Sequence, residues 1–154
     1  MKIRLVWIDK TKDRRLVELI EDYLHRLAKY VKYDISELAA SRNHTERVAV
    51  LNFEAKAILG VLSPDAYKIV LDERGQSYSS QGLSKLLIQR QNAGTREVAF
   101  IIGGHFGLAE TVKQDAQALL SLSAMTFTHD MARLVLVEQL YRAYTIISGH
   151  PYQK

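Results

Sequence analysis

Val98-Ala-Phe-Ile-Ile102 is an unbroken apolar run that stops at two adjacent glycines, Gly103 and Gly104. A strand without polar alternation has to be covered on both faces, as inside a parallel sheet, and glycines at its end open a loop where backbone approaches another group closely. A second apolar strand is expected from Leu122 to Phe127, after one short helix from about Ala109 to Leu120. Two neighbouring strand ends with small residues and bare backbone suit a planar ligand in an open α/β sheet.

The rest of the chain repeats the alternation. Ile3 to Ile8 reads as a first strand, and Leu16, Leu19, Ile20, Tyr23, Leu24 and Leu27 follow at helical spacing between Asp13 and Tyr30. Tyr33 to Leu38 alternates as a second strand, and a helix from Val48 to Leu62 stops at Ser63-Pro64. Tyr67 to Asp72 is a third strand ended by Glu73-Arg74-Gly75, and Ser79 or Ser80 caps a helix that ends at Asn92-Ala-Gly94. A long helix from about Asp130 to Ser148 closes the chain. Five strand-helix pairs in alternation imply an α/β fold with a parallel five-stranded sheet and helices on both faces, because tight turns cannot join parallel strands.

Size limits this to one core: 154 residues are read as a single domain, 1–154. An excess of 21 Lys and Arg over 17 Asp and Glu, with Lys2, Arg4, Arg14, Arg15, Lys29 and Lys32 in the first third, permits a polyanionic partner, although a solvated face is the commoner meaning. The absence of cysteine excludes disulfides, thiolate metal sites and cysteine nucleophiles, and no histidines pair at ligand spacing, so no metal is expected. The short apolar run Ile3–Ile8 gives way to charge at once and no stretch is long enough for a bilayer, so no membrane partner and a cytoplasmic location are expected.

Gly103-Gly104-His105-Phe106-Gly107 follows a strand and precedes a helix, but its GGxxG spacing is not the dinucleotide fingerprint and no Walker lysine follows. A tight turn explains it as well as a ligand loop does. Glu138 and Arg142 stand four apart in the last helix, acid first, the ordinary pattern of an exposed ion pair.

The blocks Phe100–Leu108, Leu120–His129, Arg133–Ala143 and His150-Pro-Tyr152 resemble the ribosomal RNA large subunit methyltransferase H family of small SPOUT-class enzymes, and the resemblance runs the full length. It implies a C-terminal trefoil knot, a homodimer, and transfer of methyl from S-adenosyl-L-methionine to N3 of a pseudouridine in 23S rRNA, within the large subunit or the assembled ribosome. The positions matching the family's cofactor site are Leu71, Gly103, Leu122, Ser123, Ala124, Met125, Thr126 and Phe127. There, apolar side chains would sandwich adenine, main-chain groups would read its edge, and glycine at 103 would leave room for the ligand.

An imide nitrogen keeps its proton at neutral pH, so the reaction needs a group that removes it or stabilises the anion. Arg142 is the candidate for stabilising the anion or holding a phosphate, with Tyr152 and His129 as hydrogen-bonding or proton-accepting groups; the structural alternative is that Arg142 serves only Glu138 and His129 only caps the last helix. Gln153 stands where many relatives carry histidine and cannot act as a base, and His105-Phe106 replaces residues such as Pro-Glu. Two alternatives stay open: a non-catalytic RNA- or ribosome-binding protein of the same fold, and a SPOUT enzyme acting on tRNA.

Overall fold

The computed structural model describes residues 1–152. Its elements are β1 (Lys2–Ile8), α1 (Arg14–Leu27), β2 (Lys32–Leu38), α2 (Arg47–Val61), β3 (Tyr67–Ser77), α3 (Ser80–Asn92), β4 (Glu97–Ile102), α4 (Glu110–Asp115), β5 (Ala118–Ser121) and α5 (His129–Ile147). All the strand pairs are parallel, in the order β2-β1-β4-β3-β5.

Period-two alternation sends β1 and β4 side chains to two separate cores. Ile3, Leu5, Trp7, Phe100 and Ile102 pack with Leu24, Leu136 and Leu140 of α1 and α5, whereas Val6, Ile8 and Ile101 pack with Ile58 of α2 and Val112 of α4. Every residue of β4 is buried, which is why that segment carries no polar alternation. Ser79 caps α3 by accepting a hydrogen bond from the Gly82 amide at 3.0 Å, and Thr128, not His129, caps α5 by accepting from the Met131 amide.

The C-terminal elements differ from expectation. The leucines at 119, 120 and 122, on both sides of Ser121, hide the true break: α4 ends at Asp115, and the last strand is Ala118–Ser121 rather than Leu122–Phe127. Gln117 sets this register, its amide bonding the Lys68 carbonyl at 3.0 Å and its Oε1 accepting from the Lys68 amide at 2.8 Å. Beyond Ser121 the serines satisfy backbone locally, with Ser121 Oγ donating to the Ser123 carbonyl and Ser123 Oγ accepting from the Met125 amide, each at 3.0 Å. Such bonds replace a strand ladder, so residues 122–127 form a loop.

β4 and β5 are not neighbours either, because β3 lies between them. β3 does not end at Gly75: Leu120 pairs with both Leu71 and Gln76, so residues 72–75 loop out and the strand resumes. Gly75 is needed at this point, since a Cβ there would stand 2.6 Å from the Leu119 backbone.

Candidate functional site

Parallel strands put all five carboxyl ends on one edge of the sheet, where open α/β folds hold ligands. The loop Gly103–Gly107 rises from the end of β4, which is flanked by β1 and β3, and it borders two cavities. It is a tight turn in which the Gly107 amide bonds the Gly104 carbonyl at 2.9 Å and Gly107 adopts φ 80°.

The first cavity, about 620 Å³, lies over β3, β4 and β5. Leu71, Gly103, Leu122, Ser123, Met125, Thr126 and Phe127 all line it, so the structure gathers seven of the eight expected cofactor positions; Ala124 is exposed and is not part of the wall. Its volume falls within the ordinary range for small-molecule sites. The role of Gly103 differs from expectation. A Cβ there would stand 2.6 Å from the Gly107 carbonyl carbon, so glycine is required by the loop's closure on itself, independently of any ligand.

The outward loop of β3 brings Asp72 and Arg74 to this cavity, and Lys113 of α4 also lines it. Burial acts to raise the Asp72 carboxyl, but hydrogen bonds from Lys113 Nζ and from the Arg74 amide and side chain outweigh it and hold the group at about 2. Sequence reasoning missed this cluster; the available signal was an acid and a base directly following an apolar strand.

The second cavity, about 510 Å³, lies over β1 and β2 on the other side of the glycine loop, and Gly104, His105, Phe106 and His129 border both cavities. Glu54 of α2 lines it, 4% exposed, with Oε2 lacking any hydrogen-bond partner among the described residues. Burial raises the Glu54 carboxyl above its ordinary range. This residue was also missed, although it was readable: it stands four residues from both Val50 and Ile58, a carboxylate on the buried side of α2. Arg133 anchors the rim, donating to the Ile8 carbonyl at 2.6 Å, Thr11 Oγ1 at 2.9 Å and Asp130 Oδ1 at 3.1 Å.

The three expected catalytic residues do not meet. His129 borders both cavities at the start of α5, its imidazole lowered by burial and by the charge of Arg133. Arg142 lies 13 residues further along α5, roughly 20 Å along the helix axis, and lines neither cavity. It forms a tight, half-buried pair with Glu138, Nη2 to Oε1 at 2.6 Å and Nε to Oε1 at 3.0 Å, rather than the exposed pair the spacing suggests. Tyr152 does join it: the Arg142 guanidinium sits 4.8 Å from the Tyr152 ring centre, and the Tyr152 hydroxyl is 3.4 Å from Glu138 Oε1. Burial and the hydroxyl of Tyr23 push the Tyr152 phenol upward. Gln153 lies outside the described residues. Among the described residues no group of acids and histidines is placed to hold a metal, and no helix is long and apolar enough to cross a membrane.

The sequence profile of a family described as predicted SPOUT methyltransferase matches residues 1–153. Curated relatives named ribosomal RNA large subunit methyltransferase H include that of Flavobacterium johnsoniae, 40% identical over 99% of this chain and 98% of the relative, and that of an Anaeromyxobacter species, 41% identical over the whole of both. The same name is carried by a Desulfotalea psychrophila protein, 41% identical over the full length of both chains. Among solved structures, a probable methyltransferase from Bordetella pertussis Tohama I shares the fold with a TM-score of 0.58 at 12% identity, over 92% of this chain and 95% of that one. A Legionella pneumophila protein solved in complex with the bound cofactor SAM matches with a TM-score of 0.50 at 16% identity, over 91% of this chain and 65% of that one. The full-length profile match and the identities near 40% place the chain in the SPOUT methyltransferase family, beside the ribosomal RNA large subunit methyltransferase H proteins.

Proposed function

We propose that this protein transfers methyl from S-adenosylmethionine to N3 of a pseudouridine in large-subunit ribosomal RNA, acting as a single-domain protomer of a homodimer on the large subunit or assembled ribosome in the cytoplasm. The observation that carries this reading is the convergence of Leu71, Gly103 and the 122–127 loop on one cavity of about 620 Å³. The relatives' shared name, ribosomal RNA large subunit methyltransferase H, supports the substrate. The sheet order, with β5 lying across β3 from β4, supports the trefoil threading.

The residues present fit the cofactor. Leu71, Leu120 and Leu122 offer apolar walls to a flat purine, and the loop after β5 brings backbone groups to the cavity because its serines leave it off the ladder. Bound there, the cofactor would supply a methyl carbon made electrophilic by positive sulfur. The protein's part is alignment of the acceptor and stabilisation of negative charge on the imide nitrogen.

Arg142 and Tyr152 suit the second task by charge and donor geometry, yet within one chain they stand a helix length from the cavity. A twofold dimer brings the Arg142 end of one α5 to the cavity of the other protomer, and each site is then built from both chains.

The test is methyl transfer from labelled S-adenosylmethionine to ribosomes, isolated large-subunit RNA and tRNA. Label on the ribosomal substrate alone is expected; label on tRNA alone, or none on any RNA, defeats the reading. Complementation then tests the shared site. Arg142→Ala and the cavity-blocking Leu122→Arg should each be nearly inactive, while subunits mixed after reversible dissociation should recover roughly a quarter of wild-type turnover, since half the dimers are mixed and each has one intact site. No recovery would place Arg142 and the cofactor in the same chain or remove Arg142 from the mechanism.

A further inference from the structure

The second cavity holds a feature that the fold does not account for. Glu54 is 4% exposed; a backbone hydrogen bond from Ser41 reaches its carboxyl, but its Oε2 has no partner among the described residues. A buried carboxylate oxygen without a donor costs about 1–3 kcal/mol, and the neighbouring residues of α2 avoid that cost with Val50, Ala55 and Ile58. An acceptor retained in such a place is a binding element in search of an N–H donor.

The surroundings narrow the donor's identity. Phe106 and His105, whose ring centres are 5.0 Å apart, border this cavity and the cofactor cavity alike, so a flat ring laid against them would lie beside the methyl donor. Stacking of a nucleobase on an aromatic side chain contributes about 1–3 kcal/mol and does not depend on which base it is. Lys10, exposed at the cavity wall, is placed to meet a backbone phosphate. A planar ring, a phosphate and a missing N–H together describe a nucleotide whose base donates a hydrogen bond.

We infer that the second cavity receives the target nucleotide and that Glu54 selects pseudouridine over uridine by accepting a hydrogen bond from N1–H. The inference rests on the methyltransferase reading above. Pseudouridine is joined to ribose through C5, which leaves N1 carrying a hydrogen; in uridine, with the sugars superposed, the same place is held by C5–H, which is not an N–H donor. The two isomers have the same shape and differ at this donor. A site built around a buried acceptor rejects the analogue lacking the donor, because the acceptor then stays both desolvated and unpaired. Glu54 acts here as a specificity residue, and N3, meta to N1 on the ring, remains free to face the cofactor.

The test uses the intact dimer with S-adenosylhomocysteine bound and three nucleosides as ligands: pseudouridine, uridine and N1-methylpseudouridine, the last being pseudouridine without its N1–H. Affinity is read from NMR titration and from inhibition of methyl transfer to ribosomes. Wild type should bind pseudouridine at least about tenfold more tightly than either of the others. Glu54→Met, similar in length but with no acceptor, should bind all three alike, and Glu54→Gln, which keeps a carbonyl acceptor, should retain part of the preference. Equal binding of pseudouridine and N1-methylpseudouridine by wild type overturns the inference without any variant, and so does an undiminished preference in Glu54→Met. A wild-type protein that methylates ribosomes but shows either result loses only this inference. A protein that methylates no RNA loses the function proposed above, and the wild-type titration still decides what the cavity selects.

Discussion

Asp72 and Glu54 face two cavities on opposite sides of one glycine loop, and their surroundings contrast at every level. Asp72 stands at the outward loop of β3 with Lys113 and Arg74 on it, its side chain 8% exposed, and those donors keep it ionised. Glu54 stands on the interior of a helix with an orphan oxygen, and burial favours its neutral form. A paired carboxylate is part of the scaffold, whereas an unpaired one is a cost that only a ligand can offset. The first cavity is therefore held in shape before anything binds. The second depends on side chains.

The wall between them gives the largest expected effect. A Cβ on Gly103 meets the Gly107 carbonyl carbon at 2.6 Å, which is backbone and cannot swing away; a Cβ on Gly104 meets Glu54 Oε2 at 2.7 Å, the end of a flexible side chain. Gly103→Ala should cost about 3 kcal/mol of stability and Gly104→Ala about 1 kcal/mol, with the smaller loss largely relieved in a Glu54→Ala background. Urea unfolding of the two single variants and the double variant measures this. Equal losses at 103 and 104 would mean that the two faces of the loop are equally rigid, and the contrast would fail.

Asp72→Asn comes next. The wild-type carboxyl is held at about 2 against an ordinary value of 3.8. A group whose folded value is depressed contributes stability that is fully present above the unfolded value and lost as pH falls through the folded one, so the window runs from about 4 down to about 2. Asp72→Asn should be less stable than wild type by about 1–2 kcal/mol at pH 7, after allowance for screening, with the difference closing across that window. A constant difference from pH 7 to pH 2 would separate the loss from the charge.

The same contrast sets what was legible in the sequence. β4 could be read because every one of its residues is buried and all but the first, Glu97, are apolar, and both cores follow from alternation in β1 and β4. β5 was misplaced because leucines stand on both sides of Ser121, at 119, 120 and 122, and the strand's end depends on serine hydroxyls competing for backbone. The 122–127 loop was singled out from residues that resemble a family, and it lines the first cavity off the ladder rather than as the expected strand. Gly103 lines the first cavity as expected, but the need for glycine there has a reason that only coordinates reveal, since the group it must avoid is four residues away in its own loop. Glu54 was readable only from its spacing to Val50 and Ile58, because α2 exposes Val48, Phe53 and Leu59 and so blurs the buried stripe on which the acid lies.

Glu54 should give the smallest stability effect, with the opposite sign. Its folded value is raised above the ordinary 4.5, so its contribution is fully present below 4.5, where the group is neutral in both states, and is lost as pH rises through the folded value. Replacing the unpaired acid by an apolar residue of similar length removes that loss. Glu54→Met should exceed wild type by about 1 kcal/mol at pH 7, and the gain should shrink as pH falls toward 4.5. Asp9, Lys10, Lys12, His44, His105, His129, Asp130 and Arg133 also face this cavity but are common to both proteins, so the difference between the two pH profiles isolates the carboxyl. A variant less stable than wild type at pH 7 would show that the carboxylate is already satisfied in the unliganded fold. The two cavities would then differ in depth and lining but not in whether they await a donor.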